Sequence, residues 1–458
     1  METYGAISLI PCAVVIISAI ITKRTLEPLI VGSIVGFIIA SPKTWLADWL
    51  DGLYGVIGDG TTIWLYCVCL PFGGLVALIE ISKGTIGFSE WAAKFANSGK
   101  KSLIISWLLG IFLFADDYFN ALAVGTSMRR LTDKHRVPRE MLAYVTNSTG
   151  AVVCLVIPFS TWSAFMITQM EGAGAAAKGA GQAMYFQSIP YMFYCLATIL
   201  VVPLVIVGVL PKLGGMKAAW KRALETGQTI PDSKLEEVKQ KEALDAGVVS
   251  EDKKPKVINF ALPMLVLAAV TLTTSDMQKG VLAAIVVCLV LYIPQKLMPL
   301  AKLFDRFFQG FFDMLIPVMI VTFAFTLQVA NDKLGMATYV IDNAAKIMTP
   351  ELMPLVSFIV VAALGFATGC FWGSAAICFP IIVPLAAAVD SNMILVCGAI
   401  MSGSGWGSTA CFFSDAPTLT CTSTQISNAD YAKSVLPMLI TPTIIACVLY
   451  VIFGFTMN

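Results

Sequence analysis

The chain has 458 residues, 57% of them hydrophobic and 13% charged, with a formal net charge of +1. A mean hydropathy of +0.81 leaves too little polar surface for a soluble domain of this length, so the sequence reads as an all-α polytopic membrane protein. One histidine, twelve cysteines without a CxxC pair and no GxxxxGK[ST] loop argue against a metal cluster, a disulfide framework and an ATP-driven pump.

In chain order, residues 1–22 lack a basic n-region and a cleavage site and are expected to remain as a first helix. Apolar spans lie near 6–22, 26–41 and 62–81. The positive-inside rule makes Lys23 and Arg24 cytoplasmic, the 42–61 loop external and Lys83–Lys101 cytoplasmic. Within the last of these, residues 84–97 are amphipathic and are expected to lie in the membrane interface. The next span, 102–128, carries Asp116 and Asp117 and ends in Arg129, Arg130, Lys134, Arg136 and Arg139. A single crossing would place that basic cluster outside. A re-entrant hairpin from the cytoplasm, with both aspartates near its tip, avoids this and requires cover by protein or a water-filled cavity. A carboxylate at membrane depth costs roughly 2.5–3.5 kcal/mol and marks an ion, proton or substrate pathway.

Spans 140–170 and 185–210 carry the chain out and back. Residues 211–256 hold ten Lys/Arg and eight Asp/Glu and read as a charged cytoplasmic linker. Spans near 258–275, 280–295, 308–330, 351–389, 392–424 and 432–456 follow. The 351–389 stretch is too long for one crossing and contains Gly365, Gly369, Gly373 and Pro380, so a second hairpin is expected there. On this topology every Lys and Arg except Lys43, Lys178, Lys279, Lys333 and Lys346 is cytoplasmic. A shift of about 255 residues superposes most spans, laying Leu109-Gly110 on Leu364-Gly365 and residues 147–150 on 402–405. The expected organisation is therefore two inverted repeats, 1–210 and 258–458, joined by the 211–257 linker. About ten transmembrane helices and two hairpins result, as secondary transporters often have.

Both long spans after the hairpins look broken, at Asn147-Ser148-Thr149-Gly150 with Pro158-Phe159-Ser160-Thr161-Trp162, and at Ser402-Gly403-Ser404-Gly405-Trp406-Gly407 with Ser414-Asp415-Ala416-Pro417-Thr418. Proline removes a backbone donor and glycine permits unwinding, which frees oxygens for a small hard cation. Desolvation favours a neutral carboxyl, so a buried aspartate can trade a proton for a cation. The candidate cation and proton ligands are Asp116, Asp117, Asn147, Ser148, Thr149, Ser402, Ser404 and Asp415, with Asp313 as a further buried acid of weaker context. Candidate substrate ligands are Asn120, Ser160, Thr161, Trp372, Ser414 and Thr418.

The stretches Phe114–Asp133, Arg139–Tyr144, Ile157–Trp162, Phe366–Gly373 and Ser414-Asp415 resemble the NhaC-type Na+/H+ antiporters of the ion-transporter superfamily. That resemblance implies cation-coupled secondary transport and inverted repeats. The chain departs from the family where Asn147 stands for a frequent aspartate, and where Gly407-Ser408-Thr409 lacks an acidic residue and a histidine. The expectation is a Na+-coupled carrier working by elevator-like alternating access, most simply a Na+/H+ antiporter. The alternative is a Na+- or H+-coupled symporter of a small organic acid, amino acid or related metabolite. An enzyme is not expected, for want of a nucleophile–base or metal cluster. The expected partners are the bilayer of the cell membrane, Na+, H+ and a small-molecule substrate; nucleic acid and a resident cofactor are not expected. A homodimer through scaffold spans is a further candidate assembly.

Overall fold

The computed structural model describes residues 4–457 apart from 23–25, 85–86, 88–90, 92–93, 115–116, 159, 178, 240–255, 275, 337–338, 340–348 and 370. Among the described residues regular structure is helical throughout, with no strand. After a 3-10 turn at Gly5–Leu9, the first half contains α1 (Ile10–Thr22), α2 (Leu26–Ala40), α3 (Trp45–Gly58), α4 (Gly60–Ile81), α5 (Gly99–Phe112), α6 (Asp117–Lys134), α7 (Arg139–Val156), α8 (Thr161–Gly172), α9 (Gly181–Ser188) and α10 (Phe193–Val207). The connecting segment contributes α11 (Gly215–Thr226). The second half contains α12 (Ile258–Thr274), α13 (Met277–Tyr292), α14 (Leu300–Asp313), α15 (Leu315–Lys333), α16 (Met353–Thr368), α17 (Phe371–Ala388), α18 (Met393–Ala410), α19 (Asp415–Thr424), α20 (Asn428–Ser434) and α21 (Ile440–Met457).

Local chemistry sets the ends that matter. Ser160 and Ser163 form a capping box that starts α8, and Asn392 accepts the Leu395 N–H at the start of α18. The α16 helix stops at Gly369, whose φ of +66° lies in the left-handed region that costs glycine little. By length and composition two segments can cross a bilayer, Met393–Thr424 (32 residues, including the α18–α19 break) and Leu436–Met457 (22 residues). The pair Gly181–Tyr191 and Phe193–Val207, bent by 48°, makes a third. Several further apolar stretches, Leu26–Ala40, Ile258–Thr271, Gln278–Tyr292 and Met353–Ala367 among them, run 10–17 residues, short of a ~30 Å hydrocarbon core at 1.5 Å per residue.

Two apolar cores result. One gathers Leu103, Tyr144, Trp162, Tyr194, Phe358, Phe413 and Tyr450 from α5, α7, α8, α10, α16, α21 and the α18–α19 break. The other gathers Phe72, Leu78, Leu122, Met264, Val281, Leu303 and Met314 around α4, α6, α12, α13 and α14. Helices α2 and α3 pack on α15, while α13 and α14 pack on α4. Helix α6 packs on α19, and α8 on α17.

Several expectations change. The 42–61 region is mostly helix α3 rather than loop, because its apolar Trp45, Leu46, Trp49, Leu50 and Leu53 recur at helical spacing. Much of 84–97 lies outside the described residues. The runs Asn147–Gly150 and Ser402–Gly407 are not unwound; they sit inside the continuous helices α7 and α18, and the breaks fall later, at 157–160 and 411–414. Small residues there serve close packing: a β-carbon on Gly403 would come within 2.8 Å of the Phe358 carbonyl oxygen. Asp313 is exposed rather than buried and lines a small, open cavity of about 50 Å³ between α4/α14 and α6/α19, along with Arg129, Thr126 and Ser423.

Helix α4 meets α14 backbone to backbone across the two halves. A β-carbon added at Gly73 or at Gly310 would collide with the other glycine's carbonyl oxygen. Replacing either by valine is expected to lower stability by about 1–3 kcal/mol through overpacking. A thermal melt in detergent checks this, and an unchanged melting temperature in both variants would refute the packing assignment.

Candidate functional site

Two aspartates begin helices at the chain breaks. Asp117 is the first residue of α6, after a break that follows α5 at Phe112. Asp415 is the first residue of α19, after the break at 411–414. The partial positive charge of a helix N-terminus stabilises an anion at that position. Both side chains are deeply buried, at 1% and 4% exposure.

Neighbouring donors meet them. The Trp162 indole Nε1–H donates to Asp117 Oδ1 at 3.1 Å. The Tyr118 hydroxyl donates to Asp415 Oδ2, and the Ala416 backbone N–H donates to Asp415 Oδ1 at 2.8 Å. Asp117 and Tyr118 are consecutive, so the first turn of α6 is tied to both broken helices, to α8 through Trp162 and to α19 through Asp415. This junction joins material from both halves of the chain.

Further buried polar atoms lie on α6, α7 and α18. The Asn120 amide donates to the Gly110 carbonyl at 2.5 Å and to the Leu113 carbonyl at 3.0 Å, closing the α5–α6 break. Its Oδ1 faces Gly150, where an added β-carbon would lie 2.6 Å away. Thr149 packs on Gly110 from the other side. Asn120 Oδ1, Ser148 Oγ, Thr149 Oγ1, Ser404 Oγ and Ser408 Oγ are buried and meet no hydrogen-bond partner among the described residues. A buried oxygen left unpaired costs about 1–3 kcal/mol.

Other candidates are committed elsewhere. The Asn147 amide donates to Tyr431 Oη at 2.6 Å and to the Thr409 carbonyl at 3.3 Å, tying α7 to α18 and α20. Ser402 accepts the Tyr194 N–H at 3.3 Å, capping α10. Ser160 caps α8 and donates to the Cys154 carbonyl. Ser414 Oγ donates to the Cys411 carbonyl at 2.8 Å, and Thr418 Oγ1 accepts from Asn428 at 3.1 Å. Asp116 lies outside the described residues, as do the side chains of Thr161 and Trp372.

The opposite end of α19 is held by cations, which suit a helix C-terminus. Arg129 Nη1 donates to the Ser423 carbonyl at 2.7 Å. Arg139, 2% exposed, pairs with Asp133 at 2.8 Å and donates to Gln425 Oε1 at 2.6 Å. Sequence reasoning missed Tyr118, Trp162 and this arginine clamp as working parts. The signals were present, since Tyr118 follows the aspartate pair and Trp162 follows the Pro158 break, but spacing alone does not say which acid either touches.

A family model described as the Na+/H+ antiporter family matches residues 153–455. The chain belongs to this family. An uncharacterized protein of Haemophilus influenzae is 26% identical over 500 residues, covering 98% of this chain and 91% of that protein. Membership makes this Na+/H+ antiporter-family protein a membrane-embedded cation/proton transporter rather than an enzyme, in line with the NhaC-type resemblance.

Because Asn147 works as a donor to two oxygens, an acid cannot replace it in kind. Asn147→Asp is expected to cost roughly 1–3 kcal/mol, read as a lower melting temperature. Unchanged stability together with a gain in cation affinity would show that the position is a ligand instead.

Proposed function

We propose that the chain is a secondary active transporter that binds Na+ and H+ alternately at the carboxylates opening α6, with Na+/H+ antiport its simplest mode. The observation that carries this reading is the junction at Asp117 and Tyr118, where one helix start reaches both broken helices. Asp116 and Asp117 supply the exchanging carboxylates. Asn120, Ser148, Thr149 and Ser404 contribute oxygens, and Asp415 contributes charge through Tyr118. Asn147 and Ser402 hold the helices that carry these groups.

Two inverted repeats, 1–210 and 258–458, with hairpins at α5–α6 and α16–α17, are part of the proposal. The shift read from the sequence carries α3 onto α14, α4 onto α15, α5 onto α16, α6 onto α17, α7 onto α18 and α8 onto α19. Contacts support it by exchanging reciprocally: α2 packs on α15 as α13 packs on α4, and α6 packs on α19 as α8 packs on α17. Helices α1–α4 and α12–α15 then form a scaffold. The hairpins with α7, α8, α18 and α19 form the moving body, and the cavity lined by Asp313 and Arg129 lies on their boundary. The protein resides in the cell membrane with residues 211–257 cytoplasmic. A symporter of a small organic acid or amino acid is the second reading, favoured by the neutral, structurally committed Asn147.

Proteoliposomes with an acidic lumen and an internal pH dye test the proposal. Added Na+ is expected to alkalinise the lumen with wild-type protein, and the D116N/D117N double variant, folded by size exclusion, is expected to lose at least ~10²-fold in rate, the scale of removing a group central to the chemistry. Undiminished exchange in the variant would overturn the site. A silent wild-type protein whose melting temperature rises with an organic acid only in Na+ would move the assignment to symport.

A further inference from the structure

Two lysines converge where the start of α5 meets the end of α10. Lys100, in the first turn of α5, reaches across so that its Nζ donates to the Val207 carbonyl at 2.6 Å, a cation on a helix C-terminus. Lys212, just beyond α10, has its Nζ 4.7 Å from the centre of the Trp220 ring on α11. Among the described residues neither lysine pairs with a carboxylate. Burial, and after it the positive charge of Lys100, push the Lys212 ammonium below its usual value, as two like charges near one another do.

The chain around Lys212 is held rather than loose. The Leu213 N–H meets Met438 Sδ at 3.0 Å. Gly214 lies against Pro437, and Gly215 against the Lys433 carbonyl, too closely for a β-carbon on either. Apolar surface runs away from the lysines along both helices, which pack on each other. On α5, Ile104 and Leu108 follow Lys100 at helical spacing, and Leu108 is exposed. On α10, Val207, Leu204 and Leu200 are exposed. Paired cations above an open apolar strip complement an anionic headgroup above acyl chains.

We propose that Lys100 and Lys212 form a binding site for the phosphate of one anionic phospholipid of the cytoplasmic leaflet, whose chains lie along the exposed faces of α5 and α10. The leaflet rests on the reading of residues 211–257 as cytoplasmic; the binding rests neither on that nor on ion exchange. The phosphate accepts from both ammonium groups and offsets their repulsion. A zwitterionic headgroup brings a cation of its own and does so less well.

Native mass spectrometry of the full-length protein in a nonionic detergent tests this, with phosphatidylglycerol and phosphatidylcholine of identical chains titrated separately. Wild-type protein is expected to prefer phosphatidylglycerol about thirtyfold and K100Q/K212Q to lose that preference, at about fivefold per basic side chain. K217Q/K221Q, which neutralises two exposed lysines of α11, is expected to keep it. A preference retained by K100Q/K212Q, or lost equally in K217Q/K221Q, overturns the site. Should K100Q/K212Q fail to fold, K212Q alone leaves the Lys100–Val207 contact in place and is expected to lose about fivefold; an unchanged preference there overturns the site as well. Glycerol 3-phosphate, a headgroup without chains, is expected to leave the bound lipid in place even in large excess. Displacement by it would show a site for soluble phosphate and overturn the lipid assignment.

Discussion

A carboxylate kept at membrane depth constrains everything near it. It needs donors when charged and cover by protein from the surrounding lipid. The chain meets this by ending helices where the acids stand. Asp117 and Asp415 each open a helix, where the helix dipole favours an anion, and the Ala416 N–H donates to Asp415. Trp162 and Tyr118 add one donor each. Breaking helices inside a membrane is itself costly, and it is tolerated here because the breaks are closed by protein: Asn120 onto Gly110 and Leu113, Ser160 onto Cys154, Ser414 onto Cys411.

The same economy explains the division of labour among small polar residues. Asn147, Ser402, Ser160 and Ser414 lie within the same motifs as Ser148, Thr149 and Ser404, but their hydrogen bonds fasten helix to helix or cap a helix start. Their neighbours keep unpaired oxygens. In a low-dielectric interior a satisfied polar group rigidifies and an unsatisfied one is available to a ligand. Adjacent positions on one helix point in different directions, which is how one short motif can contain both kinds.

Rigid and yielding contacts are also separated. At α4–α14 two glycines bring backbones together and leave no slack. At α6–α19 the Ser423 hydroxyl donates to the Ala121 carbonyl at 2.7 Å and Arg129 grips the Ser423 carbonyl, so those helices behave as one piece. Between the two pairs lies the cavity containing Asp313 and Arg129.

Composition and helical periodicity determined the all-α membrane class, and the cost of buried charge singled out Asp117 and Asp415, which the fold buries at helix starts; hydrophobic patterning and the cost of buried charge both act locally along the chain. Side-chain partnership was not legible. That Asn147 faces Tyr431, that Ser402 caps α10, that Asp313 is exposed and that Trp162 reaches Asp117 across 45 residues were decided only by tertiary packing. A hydrogen bond depends on direction within a few tenths of an ångström, and residue type and spacing carry no such direction between helices.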